Sequence, residues 1–245
     1  MTKHSSGFYI GIVVSIILGF GLVTLIALLF RTDVGEGAIT APVLKATMTG
    51  PNAATLNLAT YPDSQVCHAD ANAQEVSWVT YCSGNSDNSA FERIELPPNS
   101  VITVNIKQYD SSTPLINSYF SHVRGTIGGV ATLNGKTFSQ IAPDQPAHTF
   151  TIQSEPNSPN PLFVSVPLQG TANNAPTPVN IEGNSYAQPN VISFQFRTGP
   201  AGMVYLWHCY DPCGDTQYGR NPPFGFSGPM WTLGYMAGYI SVTNY

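Results

Sequence analysis

Short runs of alternating apolar and polar residues follow one another along the chain from Ile94 onward. Alternation with a period of two puts every second side chain on the same face, which is typical of a half-buried β-strand. The pattern predicts strands over residues 101–106, 119–123, 147–152, 162–166, 191–196, 203–209 and 239–242. It also predicts a hairpin over 131–138, where Asn134-Gly135 favours a tight two-residue turn.

Turn-forming residues separate these predicted strands, and the Asn- and Pro-rich segment 170–190 predicts a long surface loop. No stretch after the N-terminal segment has a convincing helical period. Short strands without helices favour an all-β fold, a sandwich of two sheets with Greek-key connections. We expect this domain to span residues 55–245 and to follow a Gly-, Thr-, Ala- and Pro-rich linker over 34–54.

The N-terminal segment contains an uncharged apolar run from Gly7 to Phe30. As a helix it would be about 36 Å long at ~1.5 Å per residue, which is enough to cross a bilayer. The run ends in Phe30-Arg31-Thr32-Asp33, which lacks the small-residue cleavage site of a signal peptide. The sequence therefore predicts one transmembrane helix within residues 1–33, retained as a single-pass anchor in the cell membrane. We expect the C-terminal domain to be extracytoplasmic.

Charged residues make up only 9% of the 245 residues, against about 25% in an ordinary soluble domain, and the net charge is −5. No basic run is present that could bind phosphates. Because non-specific affinity for nucleic acid comes from neutralising phosphates with Lys and Arg, this composition excludes a nucleic-acid partner.

The four cysteines fall into two pairs. In an extracytoplasmic domain, Cys67 and Cys82 are expected to form a structural disulfide worth ~3 kcal/mol through loop closure. We interpret His68, beside Cys67, as a solvated loop histidine rather than a metal ligand. Cys209 and Cys213 lie four residues apart on one loop, where two thiols can bind a soft metal together or pair as a disulfide. The spacing alone leaves both alternatives open.

Three segments in order resemble the strands of a cupredoxin: residues 99–104, residues 148–152, and residues 194–202 leading into Cys209. The tail over 228–242 resembles the last loop of that fold, with its Met ligand, and the closing strand. Within the cupredoxins, the chain looks most like the membrane-anchored subunit II of haem–copper terminal oxidases, in which an anchor precedes a dinuclear copper domain. The resemblance implies a copper cofactor and a role in electron transfer.

The resemblance also implies a set of metal ligands. The family's Cys-x-Glu-x-Cys loop corresponds to Cys209-Tyr210-Asp211-Pro212-Cys213. Cys209 and Cys213 would then bridge two coppers, and the carbonyl of Asp211 would be a weak ligand. His148 and Met236 would complete one side of the centre.

This sequence departs from the family at the second histidine ligand, which follows the second cysteine. No histidine occurs after His208, and Gln217 stands where the ligand is expected. His208 is a difficult substitute, because neighbouring residues of a strand face opposite ways and Cys209 would face the metal. His122 is a further candidate.

Two functions from different classes follow. The first is an electron-transfer subunit that accepts an electron from a soluble donor or a neighbouring subunit and passes it to the other subunits of a respiratory oxidase. The second is a copper-free scaffold subunit or cell-surface interaction domain, with Cys209 and Cys213 joined as a disulfide. A copper enzyme would need a second cupredoxin domain or a partner with matching histidines, since this chain has five histidines in all.

Overall fold

The computed structural model describes residues 42–68, 76–171, 178–213 and 228–244, together with Gly19 and Gly21. The predicted anchor lies outside these residues except for the two glycines, and no helix in the described ranges is long and apolar enough to cross a membrane. The strands belong to one compact unit, which extends from Pro42 to Tyr245.

Strands dominate the described residues. They are β1 (Val43–Lys45), β2 (Thr47–Gly50), β3 (Ala53–Tyr61), β4 (Thr80–Ser83), β5 (Arg93–Leu96), β6 (Val101–Gln108), β7 (Ala131–Leu133), β8 (Lys136–Phe138), β9 (Pro146–Ser154), β10 (Phe163–Gln169), β11 (Val179–Ile181), β12 (Asn184–Tyr186), β13 (Asn190–Arg197), β14 (Val204–His208) and β15 (Ala237–Val242). Short 3-10 turns lie at Ser118–Ser121, Ile127–Gly129 and Gly228–Met230.

The strands form two large sheets and one separate hairpin. The first sheet has the order β1-β5-β15-β14-β9-β10, and the second has the order β2-β3-β6-β13-β7-β8, with β4 paired to β3. Among the described strands, β11 and β12 pair only with each other. The chain passes between the two large sheets several times, so strands distant in sequence become neighbours.

One hydrophobic core lies between the sheets, because a single cluster of buried side chains draws on both. The first sheet contributes Phe150 and Trp207, and the second contributes Leu56, Val104 and Phe194. Along β6 and β13, every second residue is buried in this core, as the period-two pattern requires. The structure therefore confirms an all-β sandwich.

The predicted strands at 101–106, 147–152, 162–166, 191–196, 203–209 and 239–242 are confirmed as β6, β9, β10, β13, β14 and β15. The hairpin over 131–138 is confirmed as β7 and β8, joined at Asn134-Gly135. Both turn residues have positive φ, as a tight hairpin turn of this kind demands.

The prediction of a strand over 119–123 is wrong. The structure has a 3-10 turn at Ser118–Ser121, and the side chain of Asn117 accepts a hydrogen bond from the backbone N–H of Tyr119. Asn competes for nearby backbone donors in this way, and it initiates a turn where the aromatic residues alone favour a strand.

The sandwich begins earlier than the sequence predicts. Strands β1 and β2 lie inside the range 34–54 that the sequence predicts as a linker. Residues Val43–Lys45 are too few to show a period, and they form a strand because β5 provides a parallel partner. The predicted loop 170–190 likewise contains the hairpin of β11 and β12, whose strands have three residues each.

The predicted disulfide between Cys67 and Cys82 is confirmed. Cys82 is fully buried on β4, opposite Ala59 of β3. Together with Tyr61 and Tyr109 it belongs to a second, smaller hydrophobic cluster on the side of β3 that faces away from the main core. The bridge therefore fixes the loop after β3 against this sheet.

Candidate metal centre

His148 lies on β9, in the interior of the first sheet, and its side chain is 2% exposed. Strand β9 pairs with β10 on one side and with β14 on the other. Because β9 is a central strand, the imidazole is held close to the end of β14, where the chain continues into Cys209.

Thr149 fixes the start of the cysteine loop against β9. Its backbone N–H donates to the Sγ of Cys209 at 3.3 Å, and its Oγ1 accepts from the backbone N–H of Tyr210 at 2.7 Å. On the other side, the N–H of Cys209 donates to the carbonyl of Met236 at 3.0 Å. The fully buried Cys209 is therefore held on both sides, its sulfur by β9 and its backbone by the residue before β15.

The three predicted ligands His148, Cys209 and Cys213 form one cluster. The Nδ1 of His148 lies 2.9 Å from the Sγ of Cys213 and 4.0 Å from the Sγ of Cys209. The two sulfurs are 3.4 Å apart, and both cysteines are free. A disulfide would need a separation of about 2.05 Å, so the structure has a dithiol here and not the bonded pair of the alternative prediction.

Asp110 orients the imidazole from the opposite side. Its Oδ2 lies 3.1 Å from the Nε2 of His148, and its Oδ1 accepts from the backbone N–H of Ser111 at 2.7 Å. With Nε2 held by the carboxylate, Nδ1 faces the sulfurs. A metal-bound histidine is nearly always held by a second-shell carboxylate or carbonyl in this manner.

The sequence reasoning missed Asp110. It lies two residues past the end of β6, and it is separated from His148 by 38 positions. Nothing in a lone acidic residue after a strand links it to a histidine so far along the chain. Asp110 and His148 come together only because the two sheets pack against each other.

The cluster separates charge between an imidazolium and a thiolate. Burial lowers the pKa of His148, but the hydrogen bond to Asp110 and the charge of Cys209 outweigh it and raise that pKa to about 10. Burial likewise raises the pKa of Cys209, but hydrogen bonds from Cys213 and His148 bring it well below its usual value. Burial and the neighbouring Cys209 charge raise the pKa of Cys213. Cys209 is therefore the thiolate, and Cys213 keeps its proton.

The carbonyl of Asp211, the predicted weak ligand, faces the sulfurs. It lies 3.1 Å from the Sγ of Cys213 and 3.6 Å from the Sγ of Cys209. It also accepts the backbone N–H of Cys213 at 2.8 Å, which closes a tight turn. Both carboxyl oxygens of Asp211 are buried without a hydrogen-bond partner among the described residues, and burial raises the pKa of this carboxyl to about 8.

The structure places the Met236 backbone next to Cys209 and buries its side chain completely. The role of the Met236 thioether as a ligand stays a prediction. Gln217 lies outside the described residues.

The other candidate histidines do not join the cluster. The Nε2 of His208 lies 2.8 Å from the carbonyl of Met230, and His122 takes part in an isolated bridge with Gln140. The ring of His68 stacks on Tyr235 at 4.1 Å.

The donor set fits a soft metal ion. Among the described residues, His148, Cys209 and Cys213 are the group whose donor atoms approach closely enough to share one ion, all within 4.8 Å of one another. A bound ion would displace the protons of Cys213 and His148. The resulting two thiolate sulfurs and imidazole nitrogen suit copper or zinc, and metal–sulfur bonds of about 2.3 Å can span sulfurs this far apart. The buried setting and the carboxylate behind the histidine meet the second-shell requirement.

No protein-family model matches the chain, and no curated protein matches its sequence. Solved structures similar to it include auracyanin B, at 15% identity and a TM-score of 0.29, covering 81% of this chain and 94% of that one. Rusticyanin from Thiobacillus ferrooxidans has 11% identity and a TM-score of 0.29, covering 80% and 85%. A chain of a heme-copper terminal oxidase dimer has 12% identity and a TM-score of 0.25, covering 96% and 99%. With TM-scores this low, the functional proposal takes no support from these similarities.

Proposed function

We propose that this chain binds copper at His148, Cys209 and Cys213 and transfers single electrons. The observation that supports this most directly is the pair of free thiols beside an imidazole whose far nitrogen is held by Asp110. Copper, when bound, would supply a one-electron couple between Cu(I) and Cu(II), and soft thiolates together with imidazole suit it.

Each residue around the site has a separate task in this proposal. Asp110 fixes the orientation of the ring, so that Nδ1 is presented to the ion. Thr149 supplies an N–H to the Cys209 sulfur, and such a donor stabilises negative charge on sulfur. The buried sheet around the three donors excludes water and holds their positions, so that little has to move when an electron arrives.

A second part of the proposal concerns the location of this domain and its partners. We propose that an anchor within residues 1–33 holds it outside the cell membrane, where it serves as a subunit II-like electron carrier of a respiratory oxidase. A soluble donor or a neighbouring subunit would supply the electron. The apolar run from Gly7 to Phe30 supports the anchor, and the Cys209–Cys213 loop supports the likeness to subunit II.

The test is copper loading of the full-length protein with its thiols reduced. We expect copper to stay bound through gel filtration and to give a visible thiolate-to-copper absorption band and a Cu(II) electron-spin signal. The number of coppers per chain distinguishes a single ion from a thiolate-bridged pair. Cys209→Ser, Cys213→Ser and His148→Gln should each abolish the band, whereas His122→Gln, a histidine substitution outside the cluster, should retain it.

Asp110→Asn tests the orienting role separately. The amide keeps the shape of the side chain but removes its charge, and loss of a second-shell partner typically lowers metal affinity by about 10- to 100-fold. Competition with a copper chelator measures the change, and Asp144→Asn, which removes an exposed charge elsewhere, is the matched control. A colourless wild-type protein without bound copper would contradict the proposal and leave the copper-free scaffold.

A further inference from the structure

The second sheet carries a cleft on the face that points away from the main core. Its volume is about 360 Å³, within the usual range of roughly 300–1,000 Å³ for small-molecule sites. Ala59 and Tyr61 of β3, Lys107 of β6, and Tyr109 just beyond β6 line it. These residues alternate with core residues along their strands, so they share one face.

The floor of the cleft is rigid. Ala59 lies directly opposite Lys107 in the strand register, and it is buried in the second hydrophobic cluster together with Tyr61 and Tyr109. The rings of Tyr61 and Tyr109 stack with centroids 4.8 Å apart. Tyr186 of the hairpin packs against both, at 5.1 and 6.0 Å, and its hydroxyl donates to Asp63 at 2.9 Å.

One wall is a loop that lies flat on β3. At Gly84 an added Cβ would come within 2.6 Å of the carbonyl oxygen of Leu58, so only glycine allows this close approach. The loop therefore carries Asn85 and Asn88 to the edge of the cleft. The hydroxyl of Tyr61 donates to the Oδ1 of Asn88 at 3.3 Å, which ties the loop to the floor.

The hairpin of β11 and β12 contributes Val179 and Ile181 to the lining of the cleft. A two-stranded hairpin is at most marginally stable by itself, so packing on the tyrosines must hold this one in place. It adds an apolar surface to a cleft whose loop side is polar.

The polar groups favour a ligand that carries both hydroxyls and a negative charge. Each amide of Asn85 and Asn88 has an N–H beyond the bonds that it makes to Asn57, Tyr61 and Glu182, and this N–H can donate to a hydroxyl group, while Lys107 provides an ammonium. None of the described residues that line the cleft is acidic. The nearby carboxylate of Glu182 accepts from Asn88 at 3.3 Å, and the ion pairs found in the described ranges do not include Lys107.

We propose that this cleft binds a small acidic sugar, such as a hexuronic acid. Its carboxylate would bind Lys107, its hydroxyls would bind the asparagine amides, and the C–H face of its ring would lie against Val179 and Ile181. Sugar binding does not require bound copper, because none of these residues belongs to the His148 cluster.

The experiment is calorimetric titration of the full-length protein with sodium D-glucuronate, with D-glucose and sodium acetate as partial ligands. We expect saturable binding of glucuronate and much weaker binding of the other two, since glucose lacks the carboxylate and acetate lacks the hydroxyls. Lys107→Gln should weaken glucuronate binding at least about tenfold, the usual effect of losing a hydrogen bond to a charged group. Lys136→Gln, the same substitution at an exposed position of β8, should leave it unchanged.

A second variant, Ser86→Trp, adds a bulky side chain at an exposed residue of the lining and should weaken binding at least about tenfold without changing the charge or the buried cluster. No saturable binding to the wild-type protein would overturn the proposal. Equal binding by the Lys107 and Lys136 variants would overturn it as well, and so would glucose binding as tight as that of glucuronate.

Discussion

At the scale of single residues, the cluster of His148, Cys209 and Asp110 determines how the protein without metal responds to pH. In the folded protein, His148 keeps its proton up to a pKa of about 10, and Cys209 loses its proton well below the usual 9.0. In the unfolded chain, the same groups titrate near 6.5 and 9.0. In the folded protein, His148 and Cys209 together therefore bind one proton across this range of pH. Over the same range, the two groups in the unfolded chain change from two bound protons to none.

The sign of the effect follows from counting protons. Below about pH 6.5 the unfolded chain binds one more proton than the folded one, so stability from the pair falls as pH falls. Between about 6.5 and 9.0 the two states bind equal numbers, and the contribution is constant. Above 9.0 the unfolded chain binds fewer, and the contribution is lost as pH rises through about 10.

Because the charge of Cys209 also raises the pKa of the buried Asp211 carboxyl, the pair is best tested in an Asp211→Asn background. We therefore predict that Cys209→Ser, added to Asp211→Asn, destabilises the reduced, metal-free protein most between about pH 6.5 and 9.0. The difference in free energy of unfolding between the single and the double variant should shrink toward both ends of this range. Urea denaturation at a series of pH values measures it. A difference that does not change with pH would show that the thiolate–imidazolium pair is not formed.

At the scale of elements, the contact between β14 and β15 positions the cysteine loop. Gly238 of β15 pairs with Trp207 of β14, and a Cβ at position 238 would lie 2.4 Å from the carbonyl oxygen of Glu92 and 2.5 Å from the indole Nε1 of Trp207. The indole therefore packs directly against the backbone of β15. Because Cys209 follows Trp207 by two residues, movement of this ring would shift the ligand loop.

Gly238→Ala should consequently lower the free energy of unfolding by about 1–3 kcal/mol, the usual cost of overpacking a core, and weaken copper retention. Gly50→Ala is the matched control, because its added Cβ would meet only the Ala53 side chain at 3.8 Å. Thermal unfolding and chelator competition on both variants measure the two effects. Equal behaviour of the two variants would mean that β14 adjusts without moving the loop.

At the scale of the whole molecule, the disulfide stabilises the region around the second hydrophobic cluster. The bridge joins Cys67 to Cys82 across 15 positions, and closing a loop of this length is worth about 3 kcal/mol. The double variant Cys67→Ser, Cys82→Ser should lose about that much in urea denaturation. Its copper loading should persist at saturating copper, because neither residue is a ligand; loss of copper would show that the site depends on the bridge.

The sequence predicted β6, β9 and β13, which are long enough to show alternation, but it missed β3, which is as long as β9. The sequence also predicted that His148 lies beside Cys209 and Cys213, because the family resemblance described above gave the order of the strands. The three-residue strands β1, β11 and β12 escaped prediction, since their partners in the fold, not their own period, make them strands. Asp110 and the cleft escaped for a related reason, as both depend on which strands are adjacent.

The peptide between Tyr109 and Asp110 connects the cleft of the second sheet to the candidate metal centre. Tyr109 forms part of the cleft floor, while the next residue holds the imidazole of His148. The N–H of Tyr109 donates to Thr60, and the carbonyl of Asp110 accepts from Thr171, so the backbone is tied on both sides. A displacement of this short stretch would consequently be transmitted to both places at once. An occupant of one would then alter the affinity of the other, and thermodynamic reciprocity would require the influence to be equal in the reverse direction.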